Sequence, residues 1–150
     1  MEPPNIWNQS SIFNIIASYP FRCKIDHSVG YYNIRIHTPH AKHTGVVTPY
    51  GSYRTRVMQK GDCYTLATFQ KIMNNLFRDE FGIYVYVYID DISIFSKKYK
   101  QHLADVRTLL QRLKDHKFYA SGDQSQFLPD VLSVRGYIMT KQASPLYLRR

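Results

Sequence analysis

The chain has 150 residues, of which 44% are hydrophobic and 15% aromatic, and its formal net charge is +9. This length suits one domain with a single core, and the apolar content excludes a disordered chain. The basic balance favours a polyanion such as nucleic acid as a partner, because neutralised phosphates release counterions, but charge alone discriminates poorly. Cys23 and Cys63 are too few for a disulfide framework or a cysteine zinc site. With no run of about 20 apolar residues and no leader-like start, we expect an intracellular chain, in cytoplasm or nucleus, without membrane contact.

The first half of the chain predicts a helix, a strand and a hairpin. Apolar residues recur at helical spacing over 6–17, whereas 21–26 alternates apolar and polar residues like a half-buried strand and ends on an acid. The stretch 31–37 alternates too briefly to distinguish a strand from a loop. β-branched and aromatic residues predict strands over 44–48 and 53–58, joined by a short turn.

The second half predicts two amphipathic helices around an apolar hairpin. Phe and other apolar residues recur at helical spacing over 66–81, with a glycine just beyond, and a second stripe runs through 99–116. Between them, 84–95 indicates a strand, an acidic turn and a second strand. Shorter strands are predicted over 118–120 and 131–140, and no internal repeat is present.

This order of elements predicts an α+β domain, in which helices lie on one face of an antiparallel sheet. The ferredoxin-like arrangement is the natural candidate, and because it hosts many unrelated activities, the function has to be argued from the site. An RNA-binding module of this architecture would expose aromatic side chains on its sheet. Tyr84, Tyr86 and Tyr88 could serve in that way, but packing beneath a helix is the simpler role for them.

Two adjacent carboxylates, Asp90 and Asp91, interrupt the apolar run 84–95. Neighbouring residues of a regular strand point to opposite faces, so both acids reach one site only if the chain turns there. A turn alone would explain an arbitrary Asp-Asp pair. Here, however, apolar strands on both sides make a rigid support, and another predicted strand ends in a third acid, Asp26. Three clustered carboxylates repel one another unless cations lie among them, and such oxygen ligands suit a pair of Mg²⁺ ions for nucleotidyl transfer.

Five segments of the sequence are similar to one known protein family. They are KIDHSVGYYNIRI (24–36), TPYGSYRTRVMQKGDCYTLATFQKIMNNLF (48–77), YVYVYIDDISIFSK (84–97), HLADVRTLLQRLKDHKFYA (102–120) and RGYIMT (135–140). On these residues the chain resembles the palm of a reverse transcriptase from a gypsy-type LTR retrotransposon, especially its fungal form, from about residue 5 to 140. The resemblance implies a partial reverse transcriptase domain over 1–150, the palm plus part of the fingers, truncated at both ends.

The resemblance implies a role for each acid of the cluster. Asp26, Asp90 and Asp91 match the catalytic, metal-binding residues, which would hold two Mg²⁺ ions, with Mn²⁺ as a possible substitute. Asp26 and Asp90 match the ligands shared by both ions, Asp91 a supporting residue, and the backbone carbonyl of His27 a further ligand. Tyr31 matches the gate against a ribose 2′-hydroxyl, although it also fits a plain structural tyrosine.

The resemblance also implies contacts to substrates. The matching nucleotide-binding positions, besides Tyr31, are Gln59, Lys60 and Gly61. The matching template and primer positions are Phe69, Gln70, Tyr88, Ile89, Gly136 and Tyr137. The implied partners are an RNA or DNA template with a primer, and deoxynucleoside triphosphates, whereas no oligomeric state is implied.

The implied function is RNA-directed DNA polymerase, with a catalytically inactive retroelement remnant as the alternative, at most a basic nucleic-acid-binding domain. The three intact acids favour the enzyme. The lost flanks favour the remnant, and so do Tyr64, Thr65 and Leu66, which stand where the family has Asn-Ala-Pro. Two further departures are Lys60 in place of Gln or Phe, and Arg135 in place of an apolar residue. The template-side helix and the primer-side strand are the parts that these changes affect.

Overall fold

The computed structural model describes residues 9–27, 30–61, 64–134, 137–140 and 146–147. Within these ranges the chain forms three α-helices, two 3₁₀ helices and nine strands. In chain order they are α1 (Gln9–Ser18), β1 (Phe21–Asp26), the 3₁₀ helices Gly30–Asn33 and Thr38–His43, β2 (Gly45–Thr48), β3 (Gly51–Arg54), α2 (Thr65–Leu76), β4 (Val85–Tyr88), β5 (Asp91–Ser96), α3 (Tyr99–Asp115), β6 (Ser121–Phe127), β7 (Val131–Val134), β8 (Tyr137–Thr140) and β9 (Leu146–Tyr147).

The main sheet has four strands in the order β4-β5-β1-β6, and all neighbouring strands are antiparallel. Along the chain these strands alternate with α2 and α3 as β1-α2-β4-β5-α3-β6, which is the ferredoxin-like succession. The predicted α+β fold is therefore confirmed. The strands β2 and β3 form a separate hairpin, and β7, β8 and β9 form a small second sheet.

The larger apolar core lies between the main sheet and the two helices α2 and α3. Alternate residues of β1, β4 and β5 face these helices, because successive side chains of a strand point to opposite faces. The buried residues at the centre of this core are Cys23, Ile25, Val85, Val87, Ile92, Ile94, Phe69, Met73, Phe77, Leu109 and Leu113. The thiol of Cys23 is completely buried, and burial raises its pKa to about 12.

A second apolar cluster joins α1 to the small sheet and to the main sheet. Its buried members are Ile12, Phe13, Ile16, Phe95, Leu132, Val134 and Met139. Phe95 alternates with the core residues of β5, so α1 lies across the opposite face of the main sheet from α2 and α3. Tyr84 and Tyr86 are half-buried against the two clusters, so they do not form the exposed aromatic platform that an RNA-binding module would need.

A buried polar network attaches the start of α3 to the end of β5. The hydroxyl of Ser96 donates to Asp105 at 2.8 Å and lies 3.1 Å from Nδ1 of His102. Gln101 donates to the other carboxylate oxygen of Asp105 at 2.7 Å. In a nucleophilic triad the carboxylate would orient the imidazole, whereas here it accepts from the serine and the glutamine. The network is therefore structural, and it fixes the helix on the sheet.

The structure shortens one predicted helix. Apolar spacing predicted helix over 66–81, but α2 ends at Leu76 and turns follow over residues 77–80. The carbonyl of Glu80 accepts from three later backbone amides, which closes these turns. Phe81 continues the apolar spacing for a different reason, because its ring packs against Tyr86 with 5.5 Å between centroids.

Several strand predictions need correction. The prediction of a strand over 118–120 is wrong, because the ring of Phe118 enters the core and the strand is β6, a polar edge strand without apolar alternation. The ambiguous stretch 31–37 is partly a 3₁₀ helix, and the strand predicted over 53–58 ends at Arg54. The prediction over 131–140 divides into β7 and β8, and β9 had no signal in the sequence.

Among the described residues, no helix is both long enough and apolar enough to span a membrane.

Candidate active site

The pairing of β1 with β5 places Asp26 directly opposite Asp91. Cys23 and Ile25 face the helices, so Asp26 and the residue two positions before it, Lys24, face the other side of the sheet. Asp26 is also bonded to β6 on the other side of β1, because the backbone N–H of Asp26 donates to the hydroxyl of Ser125 at 3.2 Å. Two acids from different parts of the sequence therefore share one face of a rigid sheet.

The turn between β4 and β5 brings the third acid, Asp90, to the same place. Ile89, just before it, has a φ of 54°, a left-handed conformation that a β-branched residue rarely adopts. The backbone N–H of His27 donates to the carbonyl of Asp90 at 3.1 Å, and the Asp90 side chain hydrogen bonds to that of Tyr31. This turn explains how two adjacent acids reach one site.

Gln70 of α2 holds this turn in place. Its side-chain oxygen accepts the backbone N–H of Ile89 at 2.7 Å, and its nitrogen donates to the carbonyl of Val87 at 2.9 Å. The same nitrogen also donates to Asn74 one helical turn later, at 2.8 Å. Gln70 was predicted as a template or primer residue, and the structure gives it a direct role in shaping the acidic turn.

The carboxylates perturb one another. Burial raises the pKa of Asp26, the charge of Asp91 and a hydrogen bond to it raise it further, and Lys24 opposes the shift. Burial likewise raises the pKa of Asp90, whereas Lys60 and the hydrogen bond from Tyr31 lower it. Repulsion of this kind is what a cation among the carboxylates would relieve.

Tyr31 and Lys60 lie together beside Asp90. The Tyr31 ring is buried and packs on Phe69 with 4.6 Å between centroids, and burial with the nearby Asp90 charge raises its pKa to about 12. The Lys60 ammonium lies 5.4 Å from the centroid of the Tyr31 ring. Gly30 permits the ring packing, since a Cβ there would lie 2.8 Å from Phe69.

Lys24 is a site residue that the sequence reasoning did not single out. Its ammonium lies 2.8 Å from a carboxylate oxygen of Asp91. The available signal was its spacing, because a residue two positions before Asp26 on a strand lies on the same face. The site therefore contains two lysines, one beside Asp91 and Lys60 beside Asp90.

The acids of the site offer oxygen ligands for a divalent cation. Carboxylate oxygens are the ligands that Mg²⁺ prefers, and Oδ1 of Asp90 is buried without a hydrogen-bond partner. Within the described part of the chain, no three His, Cys, Asp or Glu residues surround one point as a ready-made site. Oδ1 of Asp91 is paired with Lys24, and Asp26 hydrogen bonds to Asp91, so Oδ1 of Asp90 is a carboxylate oxygen left open to a cation.

The remaining predicted nucleotide residues lie in the loop after β3. Gln59 is half-buried, Lys60 is exposed, and Gly61 has a φ of 108° that a glycine adopts without strain. Of these three residues, the structure brings Lys60 to the acids, while the roles of Gln59 and Gly61 stay predictions.

The predicted template and primer residues have different surroundings. Phe69 has no exposed surface, so it supports Tyr31 and cannot itself contact a template strand in this conformation. Tyr88 and Ile89 are half-buried at the end of β4 and in the acidic turn. Gly136 lies outside the described residues, and Tyr137 is described only as the first residue of β8.

Comparison with known proteins shows the family. A model of the family "Reverse transcriptase (RNA-dependent DNA polymerase)" matches residues 2–139. The chain belongs to the reverse transcriptase family. An RNA-directed DNA polymerase homolog of Oenothera berteroana is 34% identical to it over 101 residues, which cover 65% of this chain and 71% of that protein. The Retrovirus-related Pol polyprotein from transposon 297 of Drosophila melanogaster is 29% identical over 133 residues, 89% of this chain.

Solved reverse transcriptases share the fold of this chain. A foamy viral protease-reverse transcriptase in complex with dsDNA superposes with a TM-score of 0.84 at 17% identity, covering 99% of this chain and 30% of that one. The same viral enzyme with an RNA/DNA hybrid gives 0.80 at 18% identity, covering 91% and 19%. This reverse transcriptase chain spans 13% of the transposon 297 polyprotein, so it corresponds to a small part of such proteins.

Proposed function

We propose that the chain is the catalytic palm of an RNA-directed DNA polymerase, which adds deoxynucleotides to a primer 3′ end. The observation that carries the proposal is the direct pairing of Asp26 with Asp91 across β1 and β5, with Asp90 beside them in a turn that Gln70 holds. Membership of the reverse transcriptase family supports the reaction type.

Asp26 and Asp90 are the residues that would hold two Mg²⁺ ions, with Mn²⁺ as a substitute. When bound, such ions activate the attacking hydroxyl and stabilise the leaving phosphate oxygen. The chain's own contribution is positioning: β1 and β5 fix the acids, and Tyr31 orients Asp90 through a hydrogen bond. In this proposal Tyr31 also borders the sugar of the incoming deoxynucleotide, and Lys60 faces its phosphates.

A basic ribbon beside the acids supports a nucleic-acid partner. From residue 27 to residue 61 the sequence contains no Asp or Glu. Its five Lys and Arg residues are all exposed: Arg35, Lys42, Arg54, Arg56 and Lys60. Backbone hydrogen bonds from Met58 to Ile34 and from Ile36 to Arg56 continue into the β2–β3 hairpin, so the ribbon extends away from the acidic turn.

The named relatives agree with these partners. The foamy viral neighbours are described in complex with an RNA/DNA hybrid and with dsDNA. We propose corresponding partners for this chain: an RNA or DNA template with its primer, and deoxynucleoside triphosphates. Relatives from the transposons 297, opus and gypsy of Drosophila melanogaster support a gypsy-type retrotransposon origin, whereas the fungal form rests on the sequence resemblance alone.

Primer extension tests the proposal. The chain is incubated with a DNA primer on an RNA template, deoxynucleoside triphosphates and Mg²⁺, and is compared with Asp90→Asn. We expect extension by the parent chain and a loss of at least about 100-fold in the variant, because an amide cannot replace the ligand charge. The matched control is Asp79→Asn, an exposed acid in the turns after α2, which should extend like the parent.

The opposite result would identify the inactive remnant. If the parent and Asp90→Asn give the same signal, the catalytic role of the acids is wrong. If the parent binds the primer–template but does not extend it, the chain is a nucleic-acid-binding domain. Fluorescence anisotropy of the labelled primer–template separates binding from extension in the same samples.

A further inference from the structure

Lys24 and Asp91 form an ion pair inside the acidic cluster. The Lys24 ammonium lies 2.8 Å from Oδ1 of Asp91, and the two side chains are only 16% and 15% exposed. A second ion pair joins Arg112 to Glu80 on the helical side of the protein. Partial burial makes the Lys24 pair stronger than an open surface pair, which is worth little.

The sheet holds the lysine at this position. Lys24 pairs with Ser93 of β5 on one side and with Gln126 of β6 on the other. Asp26 is opposite Asp91, so Lys24 and Asp91 are diagonal neighbours on one face of the β1–β5 pair. The backbone of β1 is fixed from both sides, so the Cα of Lys24 stays diagonally across from Asp91.

This contact divides the three acids into two classes. A carboxylate oxygen that accepts from an ammonium at 2.8 Å is a poor ligand for a second cation, which the ammonium would also repel. Oδ1 of Asp90, in contrast, is buried without a hydrogen-bond partner. Asp90 therefore keeps an oxygen open to a cation, whereas Asp91 is paired with Lys24 and also accepts the hydrogen bond of Asp26.

We propose that Lys24 is a positioning residue that holds Asp91 as a permanent ion pair and so reserves Asp26 and Asp90 for divalent cations. The role in polymerisation rests on the proposed function, but the effect on cation binding does not. Lys24 would also stabilise the acidic cluster in the absence of cations, because it supplies one of the positive charges that the carboxylates need.

The test compares Lys24→Met with the parent chain in magnesium titrations. Thermal unfolding is followed in EDTA and at increasing Mg²⁺, and Mg²⁺ binding is measured by calorimetry. Methionine keeps most of the side-chain length without the charge. We expect a lower unfolding midpoint in EDTA, because the carboxylates lose a neutralising charge. We also expect half-saturation at a Mg²⁺ concentration lower by roughly tenfold, because the freed Asp91 carboxylate adds a negative charge beside the cation.

Two further variants are the controls. Lys24→Arg retains the charge and should bind Mg²⁺ like the parent. Lys97→Met removes an exposed charge just after β5 and should change neither quantity. The inference is overturned if Lys24→Met and the parent have the same Mg²⁺ half-saturation, or if the loss of stability is equal with and without Mg²⁺, since a purely structural lysine would give that result.

A double variant keeps the test decisive if Lys24→Met does not fold. Combining Lys24→Met with Asp91→Asn removes both charges of the pair and leaves Asp26 and Asp90 unchanged. We expect it to fold in EDTA and to bind Mg²⁺ with the affinity of the parent. Magnesium binding more than about tenfold weaker in the double variant would make Asp91 a ligand and refute the inference. A parent chain that shows these magnesium effects without extending primers would refute the polymerase alone.

Discussion

Replacing Gln70 by alanine should loosen the acidic turn without touching an acid. The variant removes two hydrogen bonds to the turn, one from Ile89 and one to Val87. A hydrogen bond contributes about 1 kcal/mol, and a buried amide left unpaired costs about 1 kcal/mol more. Gln70 is half-buried, so water replaces part of the loss, and we expect Gln70→Ala to lower the free energy of unfolding by about 2 kcal/mol.

The left-handed backbone of Ile89 adds a local signature to this prediction. A non-glycine residue in that region costs on the order of 1 kcal/mol, so the turn relaxes when its amide is no longer held. Urea denaturation measures the global effect, and hydrogen exchange of the Ile89 amide measures the local one. We expect faster exchange at Ile89 in Gln70→Ala, under conditions in which most of the protein stays folded.

Two other variants show which contact matters. Asn74→Ala removes only the bond between Gln70 and the next helical turn, and should change stability by less than about 0.5 kcal/mol. Gln70→Glu keeps an acceptor for Ile89 but cannot donate to Val87, so it should fall between the parent and Gln70→Ala. If Gln70→Ala unfolds at the parent's urea concentration with unchanged exchange at Ile89, the clamp does not shape the turn.

Three further substitutions test other parts of the fold. Gly30→Ala places a Cβ 2.8 Å from the Phe69 ring, so urea denaturation should show a loss of about 1 to 3 kcal/mol, and a neutral result would mean that the ring has room to move. Burial lowers the pKa of His102 below 6.5, because the folded protein favours the neutral imidazole. The contribution of His102 to the free energy of unfolding is therefore complete above pH 6.5 and decreases as the pH falls below that value. In His102→Asn, the free energy of unfolding should depend less on pH between pH 7 and 5. Arg112→Met leaves the Glu80 carboxylate without its ion-pair partner and should cost roughly 1 to 2 kcal/mol at pH 7, whereas equal stability would make that pair negligible.

The strands and the turn that carry the acids could be predicted from the alternation of apolar and polar residues. The strand Phe21–Asp26 matches its predicted bounds, and the turn between β4 and β5 lies at the acids, because apolar residues on one face of each strand meet the helices. Asp26 lies opposite Asp91 because of the strand order and register, which depend on contacts between residues distant in sequence. Periodicity does not report such contacts, and the family resemblance indicated that these acids lie together.

Other features depend on contacts that no local pattern reports. The strand β6 is a polar edge strand, so it lacks the apolar alternation that identifies buried strands. Gln70 acts through side-chain hydrogen bonds to the turn, and Lys24 acts through one ion pair; neither kind of contact has a signature in composition. Phe69 was assigned to the template group from the motif around it, whereas its complete burial shows that a motif residue can serve the site from beneath.

The buried thiol of Cys23 can report how often the strand that carries Asp26 opens. A thiol reacts with alkylating reagents as the thiolate, and this one is both inaccessible and held in the neutral form by a pKa of about 12. In the variant Cys63→Ser, Cys23 is the remaining cysteine. Its labelling rate would then measure how often β1 separates from the neighbouring strands. Repeating the measurement with increasing Mg²⁺ would show directly whether cations at the far face keep that strand closed.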